Sequence, residues 1–241
     1  MNRPPPKPLL EGLLVLDFTR VLAGPYCTAM LGDLGARVVK VESPGGDDQR
    51  HMGVMIDGES ASFAMLNRNK ESVRLDLGHP EGRRIARQLA ERADVVVENF
   101  RPGVADKLGV GYRELSEANP RLVYCSISGF GQSGPNAAAP AYDIVVQALS
   151  GLMSITGDPQ GPPTLVGESI GDVCAGMFAA WGIASALFAR ERSGAGCHLD
   201  VAMFDALFSM LPTALAQYLY AGTEPRRVGN RHPLSSPFSA Y

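Results

Sequence analysis

The stretch "LLVLDFTRVLAGPYCTAMLGDLGARVVKVE", residues 13–42, decides the fold. Its first seven residues are mostly apolar and branched, as in a buried parallel strand. Gly24 and Pro25 are typical of a helix start, and Gly35 of a helix end. Residues 37–42 then form a second strand-like run. A strand, a helix and a strand in this order predict one unit of a parallel sheet.

The same alternation continues along the chain. The further predicted elements are a strand at 73–77, a helix from Pro80 that buries Ile85, Leu89 and Ala93, strands at 94–100 and 121–128, a helix within 141–157, and a strand that becomes a helix around Phe204. The predicted fold class is therefore α/β, a Rossmann-like parallel sheet flanked by helices. Ligands of such sheets bind outside the carboxyl ends of the strands.

Composition narrows the class of partner. The chain has 241 residues, 22 Lys and Arg against 25 Asp and Glu, and a formal net charge of −3. This balance argues against nucleic acid and favours a small-molecule partner, because neutralising phosphates needs a basic surface. The four scattered cysteines suggest neither a zinc site nor a disulfide framework, so we expect no metal. Residues 1–12, a Pro-rich lead without an apolar core, do not resemble a secretory signal, which predicts a cytoplasmic protein.

Asp172 directly precedes a long uncharged run, residues 173–189. It is the only acid between Glu168 and Glu191, in "ESIGDVCAGMFAAWGIASALFAR". The run is rich in Ala, Gly and Ser and short for a membrane span, so we predict a helix that packs against the sheet. Spacing alone favours Asp172 as the N-cap of that helix, and a reactive carboxylate is the alternative.

The stretch "GFGQSG", residues 129–134, matches the dinucleotide fingerprint G-x-G-x-x-G. That fingerprint must open a helix directly after the first strand of the fold. Here it follows a late strand, and Pro135 and Pro140 oppose a helix after it. We therefore interpret it as a closely packed turn.

Seven stretches of the chain, in order, resemble the class III coenzyme A transferases. They are "VLDFTRVLAGPYC", "LGARVVKVESPGGDD", "NRNKESVRLDL", "DVVVENFRPGV", "LVYCSISGFGQSGP", "AYDIVVQALSGLMSITG" and "GESIGDVCAGM". The resemblance covers nearly the whole chain. It implies that the Asp of the "GD" pair, Asp172, is the catalytic nucleophile.

The implied reaction moves CoA from an acyl-CoA donor to a carboxylic acid, by way of an acyl-aspartyl anhydride and an aspartyl-CoA thioester. Acyl-CoA and a small carboxylic acid are then the partners, with succinate-like dicarboxylates a plausible choice. CoA is a substrate, and no tightly bound cofactor is expected. An ionised Asp can attack a thioester, and the protein positions the groups and excludes water.

The related α-methylacyl-CoA racemases differ at one informative position. They carry a His immediately before the Asp of the "YD" pair, where this chain has Tyr142 and Asp143. Inverting a carbon centre needs two suitable bases, and a phenol is a poor one at neutral pH. The sequence thus favours a transferase, with a racemase-like epimerase as the alternative.

The resemblance also implies a set of CoA contacts. By position these are Leu22, Ala23, Ser43, Leu75, Asn99, Phe100, Arg101, Lys107, Tyr142 and Asp143. Phe100 suits the apolar side of a nucleotide site, while Arg101 and Lys107 can meet phosphate. Formyl-CoA transferases have Gln in place of Leu22, which argues against formyl or oxalyl substrates. Many members have Arg in place of Ser43, so one phosphate contact is expected to differ.

The domain organisation follows from the same resemblance. Residues 1–12 form the lead, residues 13–222 the large CoA-binding domain, and residues 223–241 a linker toward a small domain that this sequence lacks. The fold is thus expected to be incomplete at the C-terminus. Full-length members form interlocked dimers, so we expect a homodimer or a partner chain that supplies the missing region. A truncated chain that binds CoA or a partner without turnover is a further hypothesis.

Overall fold

The computed structural model describes residues 7–240, so half of the Pro-rich lead and Tyr241 lie outside the described residues. The strands are β1 Leu14–Asp17, β2 Arg37–Glu42, β3 Met55–Ile56, β4 Glu59–Ser60, β5 Lys70–Arg74, β6 Val95–Glu98, β7 Val123–Ser128 and β8 Cys197–Ala202. The helices are α1 Ala23–Asp33, α2 Ala61–Leu66, α3 Pro80–Ala90, α4 Val104–Lys107, α5 Tyr112–Ala118, α6 Asp143–Leu149, α7 Leu152–Ile155, α8 Ile170–Ser193, α9 Met203–Ser209 and α10 Pro212–Ala221. A 3-10 turn covers Asp48–His51.

Six strands form one parallel sheet in the order β5-β2-β1-β6-β7-β8, while β3 and β4 form a small hairpin. The chain first builds outward from β1 to β5, then returns to the other side of β1 and continues from β6 to β8. The order reverses between β1 and β6, where Val15 pairs with Val38 on one side and Val95 on the other. A crevice at the carboxyl ends of the strands at such a reversal is the usual ligand site of open α/β sheets. The predicted α/β fold is confirmed.

Neighbouring residues of the apolar strands point to opposite faces of the sheet, so both faces are apolar. Helices cover both faces and bury them. On one face Val15 and Val95 pack with α1, α8 and α9. On the other, Leu16 and Val96 pack with α3, α4 and α5. The apolar layers on both faces hold the strand ends, and the turns that follow them, in fixed positions.

Three predicted elements differ in detail. β5 begins at Lys70 instead of 73, and the helix predicted within 141–157 is divided at Gly151, where φ is +89°. α3 buries Gly82, Ala86 and Ala90, while Ile85 and Leu89 are only half-buried. A Cβ at Gly82 would collide with the Asp76 carbonyl in the loop before α3, and Ala86 and Ala90 pack against the sheet.

α8 agrees with the prediction of a helix packed on the sheet. Its length and composition alone would suit a membrane span, but core helices meet the same criteria. One side of α8 is buried against α1 and the sheet. Near its end Arg190 is buried and pairs with Asp94 at 2.9 Å. This packing accounts for the apolar residues on the buried side of α8, whereas Met177, Trp181 and Phe188 are exposed.

Residues 222–240, the described part of the chain after α10, contain no helix, and an isolated bridge joins Arg231 to Ser239. The linker assigned to residues 223–241 and the other domain boundaries stay predictions.

Candidate active site

The turn between β1 and α1 lies at the carboxyl end of the sheet, where the strand order reverses. Val21 in this turn has φ +65°, an unfavourable conformation for a β-branched residue. Leu22 is the N-cap of α1 and makes no capping bond with its side chain. Strain of this kind persists only where the surroundings impose it.

Asp172 is the third residue of α8, which begins at Ile170 with Ser169 as N-cap. The predicted N-cap role of Asp172 is therefore wrong. The helix start is capped from outside, because Asp143 of α6 accepts a hydrogen bond of 2.6 Å from the Gly171 amide. The Asp172 carboxyl is thereby left available to its surroundings.

Asp172 lines a cavity of about 280 Å³. The cavity is bounded by the residues that follow three neighbouring strands, Val21 to Ala23 after β1, Asn99 to Pro102 after β6 and Gly129 after β7. Tyr142 also lines it and is 76% exposed. The structure thus brings six of the predicted contacts, Leu22, Ala23, Asn99, Phe100, Arg101 and Tyr142, around the predicted nucleophile.

Burial raises the pKa of Asp172 to about 6, and the negative charge of Asp143 adds to this rise. The Ala23 backbone amide acts in the opposite direction, because a hydrogen bond to a carboxylate favours its charged form. A half-buried carboxylate that is poorly solvated by water can serve as a nucleophile near neutral pH.

A second cavity of about 250 Å³ adjoins the first. It contains Ser43 after β2 and Leu75 after β5, and it shares Arg20, Asp48 and Phe100 with the first cavity. Phe100 contributes apolar surface to both. The two cavities together form a groove across the reversal point of the sheet.

Three predicted contacts have other surroundings than the resemblance implies. The side-chain amide of Asn99 binds the backbone of Arg20. It accepts a hydrogen bond from the Arg20 N–H at 2.9 Å and donates one to the Arg20 carbonyl at 2.8 Å. Asp143 binds Gly171 and Gln147 and lines neither cavity. Lys107 is exposed on α4 and also lines neither. Asn99 and Asp143 are thus placed to hold the site's backbone.

Arg20 is a candidate functional residue that the sequence analysis missed. It lies in both cavities, pairs with Asp48 at 3.4 Å and is more than half exposed. A cation directly after the first strand of such a sheet was the available signal, because this turn meets the ligand.

The sequence predicts neither a metal site nor a dinucleotide site, and both expectations can be compared with the described residues. In residues 7–240 no group of three or more His, Cys, Asp or Glu side chains is arranged to hold a metal ion. The "GFGQSG" stretch follows β7, and the next helix, α6, begins only at Asp143. It therefore lacks the helix of a dinucleotide site.

Comparison with known proteins shows which family the chain resembles. The profile of the CoA-transferase family III matches residues 10–241. The chain is 52% identical over 238 residues to acetyl-CoA:oxalate CoA-transferase of Acetobacter aceti and 45% identical over 245 residues to succinate–glutarate CoA-transferase of Agrobacterium fabrum. Each alignment covers 98% of this chain and 61% of the relative.

A solved structure gives the same result. The crystal structure of a CAIB/BAIF family protein from Brucella suis superposes with a TM-score of 0.91 at 42% identity, over 95% of this chain and 62% of that one. The chain thus spans about three fifths of the length of the relatives described. Because the family profile covers nearly all of it, the chain belongs to the CoA-transferase family III.

Proposed function

We propose that this chain carries the CoA-binding and nucleophilic part of a CoA-transferase that moves CoA from an acyl-CoA to a carboxylic acid. The observation that supports this most directly is the Asp172 carboxyl, held beside the Ala23 amide in a cavity at the reversal point of the sheet. The family and the names of the relatives support the same reaction class.

In the proposed reaction an Asp172 oxygen attacks the thioester carbon. A C–O bond forms, the C–S bond breaks, and CoA leaves as the thiolate. The thiolate then attacks the aspartyl carbonyl of the anhydride, which gives an aspartyl-CoA thioester and releases the donor carboxylate. The acceptor carboxylate reverses the two steps and leaves as its CoA ester. No net proton transfer is needed, so the protein contributes position, amide donors and exclusion of water.

Small dicarboxylates are the proposed acceptors. The two relatives described are named for oxalate and for succinate with glutarate. The Leu at position 22, where formyl-CoA transferases have Gln, argues against oxalate as the acceptor. The name of the relative from Acetobacter aceti argues for oxalate. An assay that compares oxalate, succinate and glutarate as acceptors separates the two.

The proposal is tested by trapping the intermediate. The chain is incubated with acetyl-CoA or succinyl-CoA, quenched with hydroxylamine and digested, and peptides are measured by mass spectrometry. We expect a hydroxamate on Asp172, and none in the matched variant Asp172→Asn. A folded chain that binds CoA in calorimetry but is never modified at Asp172 would contradict the proposal.

Two further experiments distinguish the alternatives. A racemase-like epimerase would exchange the α-proton of a branched acyl-CoA for deuterium without any acceptor acid. The exposed position of Tyr142 does not favour it, since proton transfer within a site needs a positioned base. A non-catalytic chain would bind CoA and gain transferase activity only when a polypeptide equivalent to the remaining part of the relatives is added. Cytoplasmic location and a homodimer stay predictions from the sequence.

A further inference from the structure

Side chains from β2 and from the loops that follow β2 and β6 bond four backbone groups of residues 19–21, in the turn before α1. Lys40 of β2 donates to the Thr19 carbonyl at 2.7 Å. Asn99 binds both the N–H and the carbonyl of Arg20. Asp47 accepts from the Val21 amide at 3.1 Å. We call Lys40, Asp47 and Asn99 the turn clamp.

Lys40 and Asp47 form a buried ion pair within the clamp. Their side chains are both 1% exposed, and Lys40 Nζ lies 2.8 Å from Asp47 Oδ2. Removing water from two charges is costly, and a pair of well-packed apolar residues would often be at least as stable. A buried pair with this cost is therefore better explained by what it fixes than by the stability that it adds.

The pair fixes a turn that would otherwise relax. Val21 at φ +65° costs of the order of 1–3 kcal/mol. The bonds from Asn99 and Asp47 fix the Arg20 backbone and the Val21 amide, directly before the strained φ dihedral of Val21. The turn leads directly to Ala23, which lines the same cavity as Asp172 and whose amide favours the charged form of that carboxyl. A relaxed Val21 would rotate that amide away.

We infer that Lys40, Asp47 and Asn99 are positioning residues, which hold the strained β1–α1 turn so that Leu22 and Ala23 keep their place beside Asp172 in the wall of the first cavity. This rests on the proposed function only for its effect on rate. None of the three needs to touch the reacting atoms. Asn99, which the resemblance assigns to CoA contact, acts through the backbone of Arg20.

The first test measures the turn without any activity. Amide hydrogen exchange is followed at residues 19–23 in the unsubstituted chain and in Asp47→Ala, Lys40→Met and Asn99→Ala. We expect at least about tenfold faster exchange in each, because the amides lose their acceptors or their fixed geometry. Arg37→Met is the matched control, since it breaks the exposed pair with Glu71 at the opposite end of β2. Unchanged exchange in all three variants overturns the inference.

The second test measures the pKa of Asp172 by carbon-13 NMR titration. Lys40→Met removes a positive charge and Asp47→Ala removes a negative one, so direct electrostatics would move the pKa of Asp172 in opposite directions. Loss of the Ala23 amide would raise the pKa in both, and in the uncharged change Asn99→Ala. A lower pKa in Asp47→Ala overturns the inference.

The third test concerns the rate of Asp172 acylation. We expect a fall of about tenfold to a hundredfold in the clamp variants, with less than about a threefold change in CoA affinity, because a small misplacement affects the reacting step most. Asp47→Asn keeps an acceptor for Val21 and should recover part of the rate. A normal rate with faster exchange would overturn the positioning role.

If the unsubstituted chain is never acylated, the proposed function fails, while exchange and titration still decide the inference. Asn99→Ala leaves no buried charge, so it remains informative if the other variants do not fold.

Discussion

At the scale of single residues, the site places Asp172 where its charge is poorly solvated. The pKa of this carboxyl is raised to about 6, first by burial and then by Asp143. A carboxyl with a raised pKa takes up protons more readily in the folded chain than in the unfolded one. The charged form therefore lowers the free energy of unfolding, which is a common property of functional groups.

Asp172→Asn is expected to stabilise the chain at neutral pH. The difference between the ordinary pKa of 3.8 and about 6 corresponds to at most about 3 kcal/mol. The gain should be nearly absent at pH 4, increase as the pH rises toward 6, and be complete above about pH 7. Urea unfolding at pH 4, 6 and 8 measures it.

Glu168→Gln is the matched control for this prediction. Glu168 is an exposed acid shortly before α8, and Gln keeps an acceptor for the Ser169 amide. Its stability should change by less than about 0.5 kcal/mol at every pH. A destabilised Asp172→Asn at pH 8 would show that the carboxylate is better solvated than its surroundings indicate.

Sequence reasoning found residues of the site that follow strands and missed the bonds between distant ones. Asp172, Ala23 and Phe100 were assigned from the family resemblance, and all three line the first cavity. The partners of Asn99 and Asp143 lie 79 and 28 residues away in the chain. Nothing local signals such a pairing, so both were assigned to ligand contact.

At the scale of elements, the site depends on how closely α1 and α8 approach. A Cβ at Gly176 of α8 would lie 2.7 Å from the Ala23 carbonyl oxygen and 3.0 Å from the Tyr26 ring. A backbone atom cannot move aside as the end of a side chain can. The glycine therefore permits the spacing that brings Asp172, one turn earlier, to the Ala23 amide.

Gly176→Ala is expected to destabilise the chain by about 1–3 kcal/mol, because overpacking separates the two helices. CoA-dependent acylation of Asp172 should fall as well. Gly182→Ala, on the same helix, is the control. Its Cβ would meet only Leu199 at 3.5 Å, an ordinary contact, so the better helix propensity of Ala should stabilise by up to about 1 kcal/mol. Thermal unfolding measures both, and equal effects would refute the close-packing argument.

The helices and strands were predicted well where the pattern of apolar residues agrees with the residues that start and end an element. α1 lies between the predicted signals at Gly24 and Gly35, and β2 covers the predicted residues 37–42. The start of α8 was misplaced because its cap comes from α6, which a local reading cannot include. The hairpin of β3 and β4 was not predicted, since two-residue strands carry too short a pattern.

At the scale of the whole molecule, the proposed function predicts that one CoA molecule occupies both cavities, which lie at the reversal point of the sheet. Only the first contains Asp172, so a bound CoA must place its sulfur there. Its nucleotide then extends past Arg20 and Phe100 into the second cavity, beside Ser43 and Leu75. The pantetheine and nucleotide halves of CoA should therefore occupy separate places.

The final prediction is that pantetheine and adenosine 3′,5′-bisphosphate bind at the same time without competing. Calorimetry with each fragment alone, and with the other present at saturation, measures this. Leu22→Ala should weaken only pantetheine and Leu75→Ala only the nucleotide, because each side chain lines one cavity, whereas Phe100→Ala should weaken both. CoA should bind at least about a hundredfold more tightly than either fragment, since joining two ligands makes the second contact intramolecular. Competition between the fragments would mean that one cavity holds both, and that the second cavity has another use.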